Sequence, residues 1–106
     1  MRGEVLKGHL DLLLLSTVAD APRHGYAIVE ELRRRSSGLF DLSEGTVYPA
    51  LYRLERAGLL ESRWAGEGRR RRVYSVTPRG RAQLERLAGE WESFSRGVEE
   101  VLAWAT

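Results

Sequence analysis

Residues 66–76 read GEGRRRRVYSV and set four consecutive arginines, Arg69, Arg70, Arg71 and Arg72, between a glycine pair and an alternating apolar run. A guanidinium is always charged and offers a planar fork of N–H donors suited to phosphates and carboxylates. Taken alone, the run admits three readings: solvated surface, a targeting tag, or a finger that touches something acidic. Little else in the chain could do chemistry. The sequence has no cysteine, which excludes thiolate nucleophiles and a disulfide framework. His9 lies among leucines and reads as a packed or interface side chain. His24 precedes a helical stretch and reads as a turn residue or a phosphate contact. The carboxylates Glu30–Glu31 and Glu99–Glu100 are adjacent in sequence, so each pair divides between two faces of a helix. No glycine-rich phosphate loop follows a strand. An enzyme, a metal centre and a cofactor are therefore not expected, and a metal or redox sensor is disfavoured by the same shortage of ligands.

The chain has 106 residues, 42% hydrophobic and 30% charged, which fits a single soluble unit. A core of that size is modest, and oligomerisation is a common way to enlarge it. The run from Leu12 to Leu15 is too short to span a bilayer, and no signal-peptide cleavage pattern is present. The expected compartment is a reducing cytoplasm, with no membrane partner. The net charge of +2 conceals an asymmetry. Residues 1–52 carry six basic and seven acidic side chains. Residues 53–81 carry nine arginines against three glutamates, and residues 82–106 two arginines against five glutamates. The positive charge is thus concentrated in one short stretch, as a localised acidic partner would require.

The elements that must position these groups can be read from periodicity. Residues 4 to about 20 form a proline-free helix with Leu6, Leu10, Leu13 and Thr17 on one face and Leu12, Leu15 and Ala19 on another. Such a helix needs burial on two sides, and a second chain is a natural source of the second side. Pro22 breaks the pattern, and residues 24–35 make a short second helix with Ile28 and Leu32 inward. Arg33 to Arg35 fall in its last turn, where cations suit the helix dipole. Residues 43–57 form a third helix with Ser43 as N-cap and Gly58 just beyond its end. Pro49 either removes one ladder bond inside this helix or marks a true start nearer Thr46. Val47, Leu51 and Leu54 mark the core face. Thr46, Tyr48, Pro49, Tyr52, Arg53 and Arg56 lie largely off it, an aromatic and basic face unlike an ordinary solvated one.

The period then changes to two. LLESRW and RRVYSV, joined by AGEGRR, predict a β-hairpin with the arginines at its tip and on its returning strand. Thr77 and Pro78 form a strong helix start, and the last helix runs to about residue 104. Its apolar residues Leu84, Leu87, Trp91, Phe94, Val98, Val101 and Ala105 step by 3 and 4, a coiled-coil seam over three heptads. A helix near 40 Å long outreaches so small a body and reads as a dimer arm. The expected fold is mainly α with a small β-hairpin. It is a winged helix-turn-helix over residues 1–77 followed by a long C-terminal dimerisation helix over 78–106. In that plan the second helix of the motif, residues 43–57, enters the major groove and the wing arginines reach phosphates or the minor groove. A targeting tag is disfavoured because the run lies in a folded hairpin. The rival is a winged helix that binds protein instead of DNA, against which the local basic charge argues.

LKGHLDLLLLSTVADAPRHGYAIVEELRRRS, EGTVYPALYRLERAGLLES, RRRRVYSVTPRG and EWESFSRGVEEVL together resemble the PadR family of bacterial transcriptional regulators. The likeness covers nearly the whole chain and is most specific around Gly45 to Leu54 and in VYSVTPRG. The length is similar to the short subfamily with a single C-terminal helix. The resemblance implies a homodimer that represses from a palindromic operator on double-stranded DNA and releases it when an effector arrives. Tyr26, Thr46, Tyr48, Pro49, Tyr52 and Arg53 would lie near DNA, with Arg69, Arg70, Arg71 and Arg72 on the backbone. His24 and Ser43, at two helix starts, join that set. The dimer interface would use Leu6, Leu10 and Leu13 of the first helix. From the last helix it would use Leu84, Leu87, Trp91, Phe94, Val98 and Val101. Some family members bind flat aromatic drugs at the dimer interface, stacked on an aromatic of the last helix. Phe94 resembles that position, a Trp in the multidrug sensors, with Trp91 one turn before it. A small aromatic effector on Trp91 and Phe94 is one reading, and ordinary seam packing is the other.

Overall fold

The structure, a computed structural model, describes Leu6 and residues 8–105. Helix α1 spans Leu10–Ala19 and buries Leu14, Leu15, Thr17 and Val18. The expected helix from residue 4 is interrupted at Gly8 and His9, with Leu6 helical before them. Gly8 and His9 form a turn in which the His9 N–H donates to Leu6 O at 2.8 Å, and the regular ladder begins after it. Glycine is a poor helix former, and no side chain caps this start. The rest of that early segment lies outside the described residues. The one buried polar side chain of α1, Thr17, donates its hydroxyl to Leu14 O at 2.7 Å, so it enters the core satisfied.

Strand β1 is the two-residue segment Arg23–His24, and helix α2 follows at Gly25–Arg35. Ile28, Val29 and Leu32 turn inward. The arginine triple at its end is held by carboxylates. Arg33 meets Glu30 at 2.5 Å, Arg34 meets Glu31 at 2.8 Å, and Arg35 bridges Glu31 at 2.9 Å and Asp20 at 3.1 Å. Arg23 adds a bond to Asp20 at 2.9 Å. The C-terminal dipole of α2 and this network act in the same direction. The Arg34 hydrogen bond, helped by Arg35, holds the Glu31 carboxyl down at about 2.

Helix α3, Glu44–Arg56, buries Val47, Ala50, Leu51 and Leu54 and contains Pro49 within it. Of the two readings of Pro49, the helix runs through it. Gly45, whose carbonyl loses its ladder partner, is exposed, so water can satisfy that oxygen. Ser43 caps the start, its side chain accepting from the Thr46 N–H at 3.2 Å. Gly58 follows the helix with φ of 79°, a left-handed conformation that glycine adopts without strain.

Strands β2, Leu60–Ala65, and β3, Arg71–Val76, pair antiparallel in the register Leu60↔Val76, Ser62↔Tyr74 and Trp64↔Arg72. The sheet has three strands, in order β1-β3-β2, because Arg23 and His24 pair with Tyr74 and Val73. The sequence pattern predicts only the hairpin, since two residues are too few to show a period. The core joins α1, α2, α3 and the inner face of this sheet through Leu14, Leu15, Ile28, Leu51, Leu54, Leu60 and Tyr74.

Helix α4 spans Pro78–Ala103. Thr77 caps it by accepting from Gly80 N–H at 3.0 Å while its own hydroxyl donates to Gly58 O at 2.6 Å. Leu84 and Leu87 pack against the core. Arg81 donates to Ala19 O at 3.1 Å, tying the same turns to α1. Beyond them the helix leaves the body, which gives the protein a longest dimension of 58 Å against 27 and 21 Å for the others. The architecture is a winged helix-turn-helix with a long C-terminal helix.

Candidate nucleic-acid interface

The helix-turn-helix pair α2–α3 and the hairpin converge on one face. The first turns of α2 and α3 both reach it, through Gly25 and Tyr26 of one and Glu44 and Tyr48 of the other, and each helix start carries the positive end of its dipole. What allows this approach is Gly25. A Cβ built on it would fall 2.4 Å from Tyr48 Cε1 and 2.7 Å from its hydroxyl oxygen, so the Tyr48 ring rests on the bare glycine backbone. Burial, with Glu44 nearby, raises the Tyr48 phenol above its ordinary range. The phenol therefore stays a neutral donor at physiological pH.

A groove of about 520 Å³ opens on this face, lined by His24, Gly25, Tyr26, Glu44, Tyr48, Trp64, Tyr74 and all four arginines Arg69 to Arg72. Along its α3 side, Thr46, Pro49 and Tyr52 are exposed, and Tyr26 projects from the first turn of α2. Two large aromatics left this open, Tyr26 at 55% and Tyr52 at 59%, form a surface that burial does not explain. Arg56 lies 5.7 Å from the Tyr52 ring centroid and backs that ring with positive charge.

His24 holds two positions at once. Its Nδ1 accepts from the Ala27 N–H at 3.3 Å, capping α2, and its Nε2 lies 3.0 Å from Arg71 Nη1. A neutral imidazole has one accepting nitrogen, so these two donors compete for it. Burial first, and Arg71 second, lower its pKa, which favours that neutral, accepting form. Arg53 is the DNA-facing candidate with an acidic partner on another helix. Its Nη1 donates to Asp11 Oδ2 of α1 at 3.2 Å, and Nη2 pairs with Oδ1. Arg69 and Arg70, at the wing tip, are exposed and have no side-chain partner among the described residues.

A separate apolar pocket of about 300 Å³ is lined by Leu6, His9, Leu12, Leu13 and Phe40 together with Trp91 and Phe94 of α4. The His9 ring meets Trp91 edge-on with centroids 5.1 Å apart, and Trp91 meets Phe94 at 6.1 Å. Leu10 and Leu13 are half-buried against the chain's own core, as are Leu84 and Leu87. Further out, Phe94, Val98, Val101 and Leu102 are exposed along α4.

The model of the transcriptional regulator PadR-like family matches residues 14–86, from α1 through the wing into α4. The chain belongs to the PadR family of transcriptional regulators. Its relatives include the transcriptional regulator Rv3488 of Mycobacterium tuberculosis, 40% identical over 96 residues that cover 90% of this chain and 87% of that one. A transcriptional regulator from Clostridium thermocellum shares the fold at a TM-score of 0.86 and 30% identity, over 92% of this chain and 97% of that one. The Bacillus subtilis PadR, solved in complex with operator DNA, superposes at a TM-score of 0.66 with 20% identity, over 72% of this chain and 44% of that one.

Sequence reasoning missed several parts of this PadR-family interface. Trp64 was visible as a strand residue, yet only the register sets it against Arg72 in the groove. Gly25 and Asp11 carry no motif, and both matter through a partner distant in sequence. For Trp64 the usable signal was its place in the Leu60, Ser62, Trp64 alternation, at the end of the strand away from the core.

Proposed function

We propose that this PadR-family chain binds double-stranded operator DNA as a homodimer and represses transcription until a small molecule releases it. Helix α3 enters the major groove, presenting Thr46, Tyr48, Pro49 and Tyr52, while Ser43, His24 and Tyr26 meet the backbone at the two helix starts. Arg53 reaches a phosphate when it leaves Asp11. Arg69 and Arg70 at the wing tip lie along the flanking backbone. The observation that carries this reading is the groove in which two helix N-termini face Arg69 to Arg72. The Bacillus subtilis PadR of the same fold, held on operator DNA, supports it.

Residues 1–77 supply the DNA contacts, and residues 78–106 together with the first helix supply the dimer contacts. The exposed Phe94, Val98 and Val101 need an apolar cover, and a second copy's α1 and α4 offer one. A two-fold dimer would set its recognition helices one DNA turn, roughly 34 Å, apart. Trp91 and Phe94 beside the apolar pocket suit a flat aromatic effector, worth about 0.5–1.5 kcal/mol per stacked ring beyond area burial.

The test is a fluorescence titration of the protein against its own upstream duplex and an unrelated duplex at rising salt. The operator reading expects preference for the upstream duplex and a steep salt slope. Replacing Arg69 and Arg70 with alanine lowers affinity for both duplexes and flattens the slope by about 1.8, two phosphate contacts' worth. An unchanged slope removes the wing tip from the mechanism. Sedimentation of wild type and Val98→Glu tests the dimer, and titration of tryptophan fluorescence with planar aromatic compounds, compared between wild type and Trp91→Phe, tests the effector site.

A further inference from the structure

The four wing arginines stand in unequal places. Among the described residues Arg69 and Arg70 have no side-chain partner, whereas Arg72 is engaged on three sides. Its Nε donates to Ser62 Oγ at 2.7 Å, and its Nη2 lies 3.5 Å from Glu55 Oε2. The Ser62 hydroxyl in turn donates to that same Glu55 oxygen at 2.5 Å. The indole of Trp64, opposite Arg72 in the β2–β3 register, has its ring centroid 5.4 Å from the guanidinium carbon. Glu55 belongs to the last turn of α3, the helix proposed to read the bases. A carboxylate there opposes both the helix dipole and nearby DNA phosphates. Its side chain is only 24% exposed, and what it meets is the wing.

We propose that Glu55, Ser62, Arg72 and Trp64 form a lock that fixes the angle of the wing to helix α3. Arg72 is then a positioning residue and not a phosphate contact. The lock sets how far the tip arginines stand from the bases read by α3, and so it governs discrimination between duplexes more than affinity for any duplex. The part concerning duplexes rests on the operator reading above. Trp64 explains itself in the same way. It continues the face of Leu60 and Ser62 outward, past the end of the core, and covers the open side of the guanidinium so that water competes less for its bonds.

The sign of one substitution separates the lock from plain electrostatics. Removing the Glu55 charge beside DNA should raise affinity for every duplex if only charge matters. With the lock, Glu55→Gln lowers the preference for the upstream duplex over an unrelated one by roughly tenfold, the scale of one charge-assisted hydrogen bond. Arg72→Gln leaves the salt slope unchanged, whereas loss of a phosphate contact lowers it by about 0.9. Ser62→Ala loses preference as Glu55→Gln does, and Ser62→Thr, which keeps the hydroxyl, retains it. This conservative pair carries the test if Glu55→Gln does not fold.

Amide hydrogen exchange reads the lock without DNA. In Glu55→Gln, or in Ser62→Ala in its place, the amides of β3 near Arg72 should exchange at least several-fold faster while those of α2 keep the wild-type rate. Unaltered wing exchange overturns the proposal, and so does retained or increased duplex preference, or a salt slope reduced by Arg72→Gln. Faster wing exchange in a protein whose wild type prefers no duplex supports the lock and defeats the operator reading.

Discussion

Replacing Gly80 with alanine should separate the long helix from the body it is built on. Gly80 is buried in the first turn of α4. An added Cβ would lie 1.9 Å from the Leu59 carbonyl oxygen and 2.8 Å from Val76 Cγ2. To restore an ordinary 3.4 Å contact, the helix start has to retreat by about 1.5 Å. That retreat strains the Thr77 bonds to Gly58 O at 2.6 Å and from Thr77 N–H to Leu59 O at 3.1 Å, which anchor α4 beside the sheet. Overpacking costs about 1–3 kcal/mol. A weakened N-cap adds about 1 kcal/mol, and a strained backbone bond about 1 kcal/mol. Alanine's better helix propensity returns about 1 kcal/mol. The net loss is about 2–4 kcal/mol, or roughly 8–16 °C in melting temperature at about 4 °C per kcal/mol for a chain of this size. The assay is thermal melting by circular dichroism at one fixed protein concentration, because the proposed dimerisation would make the midpoint concentration-dependent. Gly89→Ala is the matched control, since it lies in the same helix with nothing within 4 Å of an added Cβ. It should melt about 2–4 °C above wild type. A Gly80→Ala midpoint equal to or above that of Gly89→Ala would refute the packing argument.

Gly25→Ala displaces the Tyr48 ring, whose Cε1 lies 2.4 Å from the added carbon. The ring can swing outward, so titration should show about a tenfold loss of duplex affinity with a stability loss of only about 1–2 kcal/mol. The Glu31 carboxyl, lowered by Arg34 and Arg35 from 4.5 to about 2, contributes stability that is fully present above pH 4.5 and disappears as pH falls towards 2. Melting temperatures across that window should fall more steeply for wild type than for Glu31→Gln. Asp11→Asn frees Arg53 from its ion pair. Affinity for unrelated duplex should rise and the salt slope steepen by up to about 0.9, measured in the same titration. Arg53→Ala should flatten the slope by about 0.9, and an unchanged slope in that variant would mean that Arg53 reaches no phosphate.

Much of the plan was legible because it is local. The 4-and-3 spacing of Val47, Leu51 and Leu54 placed the inner face of α3, and all three are buried. Ser43 and Thr77 cap helices where their position before Glu44 and Pro78 suggests. The change of period at Leu60 located the hairpin to within a residue. The first helix was less legible, since leucine on every side gives no preferred face and the turn at Gly8 and His9 interrupts it. The last helix was readable as a seam, yet its apolar residues divide. Leu84 and Leu87 join the chain's own core, while Phe94, Val98 and Val101 remain open. Periodicity marks which residues share a face and carries no information on what covers it.

By itself the sequence determined the cap residues Ser43 and Thr77, the helix end at Gly58, the hairpin, the inward face of α3 and the concentration of arginine in the wing. Each of these follows from interactions among residues a few positions apart, which composition and spacing record directly. Tertiary structure alone decided the partners. It set Asp11 against Arg53, Gly25 beneath Tyr48, Arg23 and His24 at the sheet edge, and Glu55 with Ser62 against Arg72. Four identical arginines in a row thereby acquired different surroundings. A side chain's role depends on which distant groups the folded chain brings within a few ångströms of it, and sequence order does not state that distance.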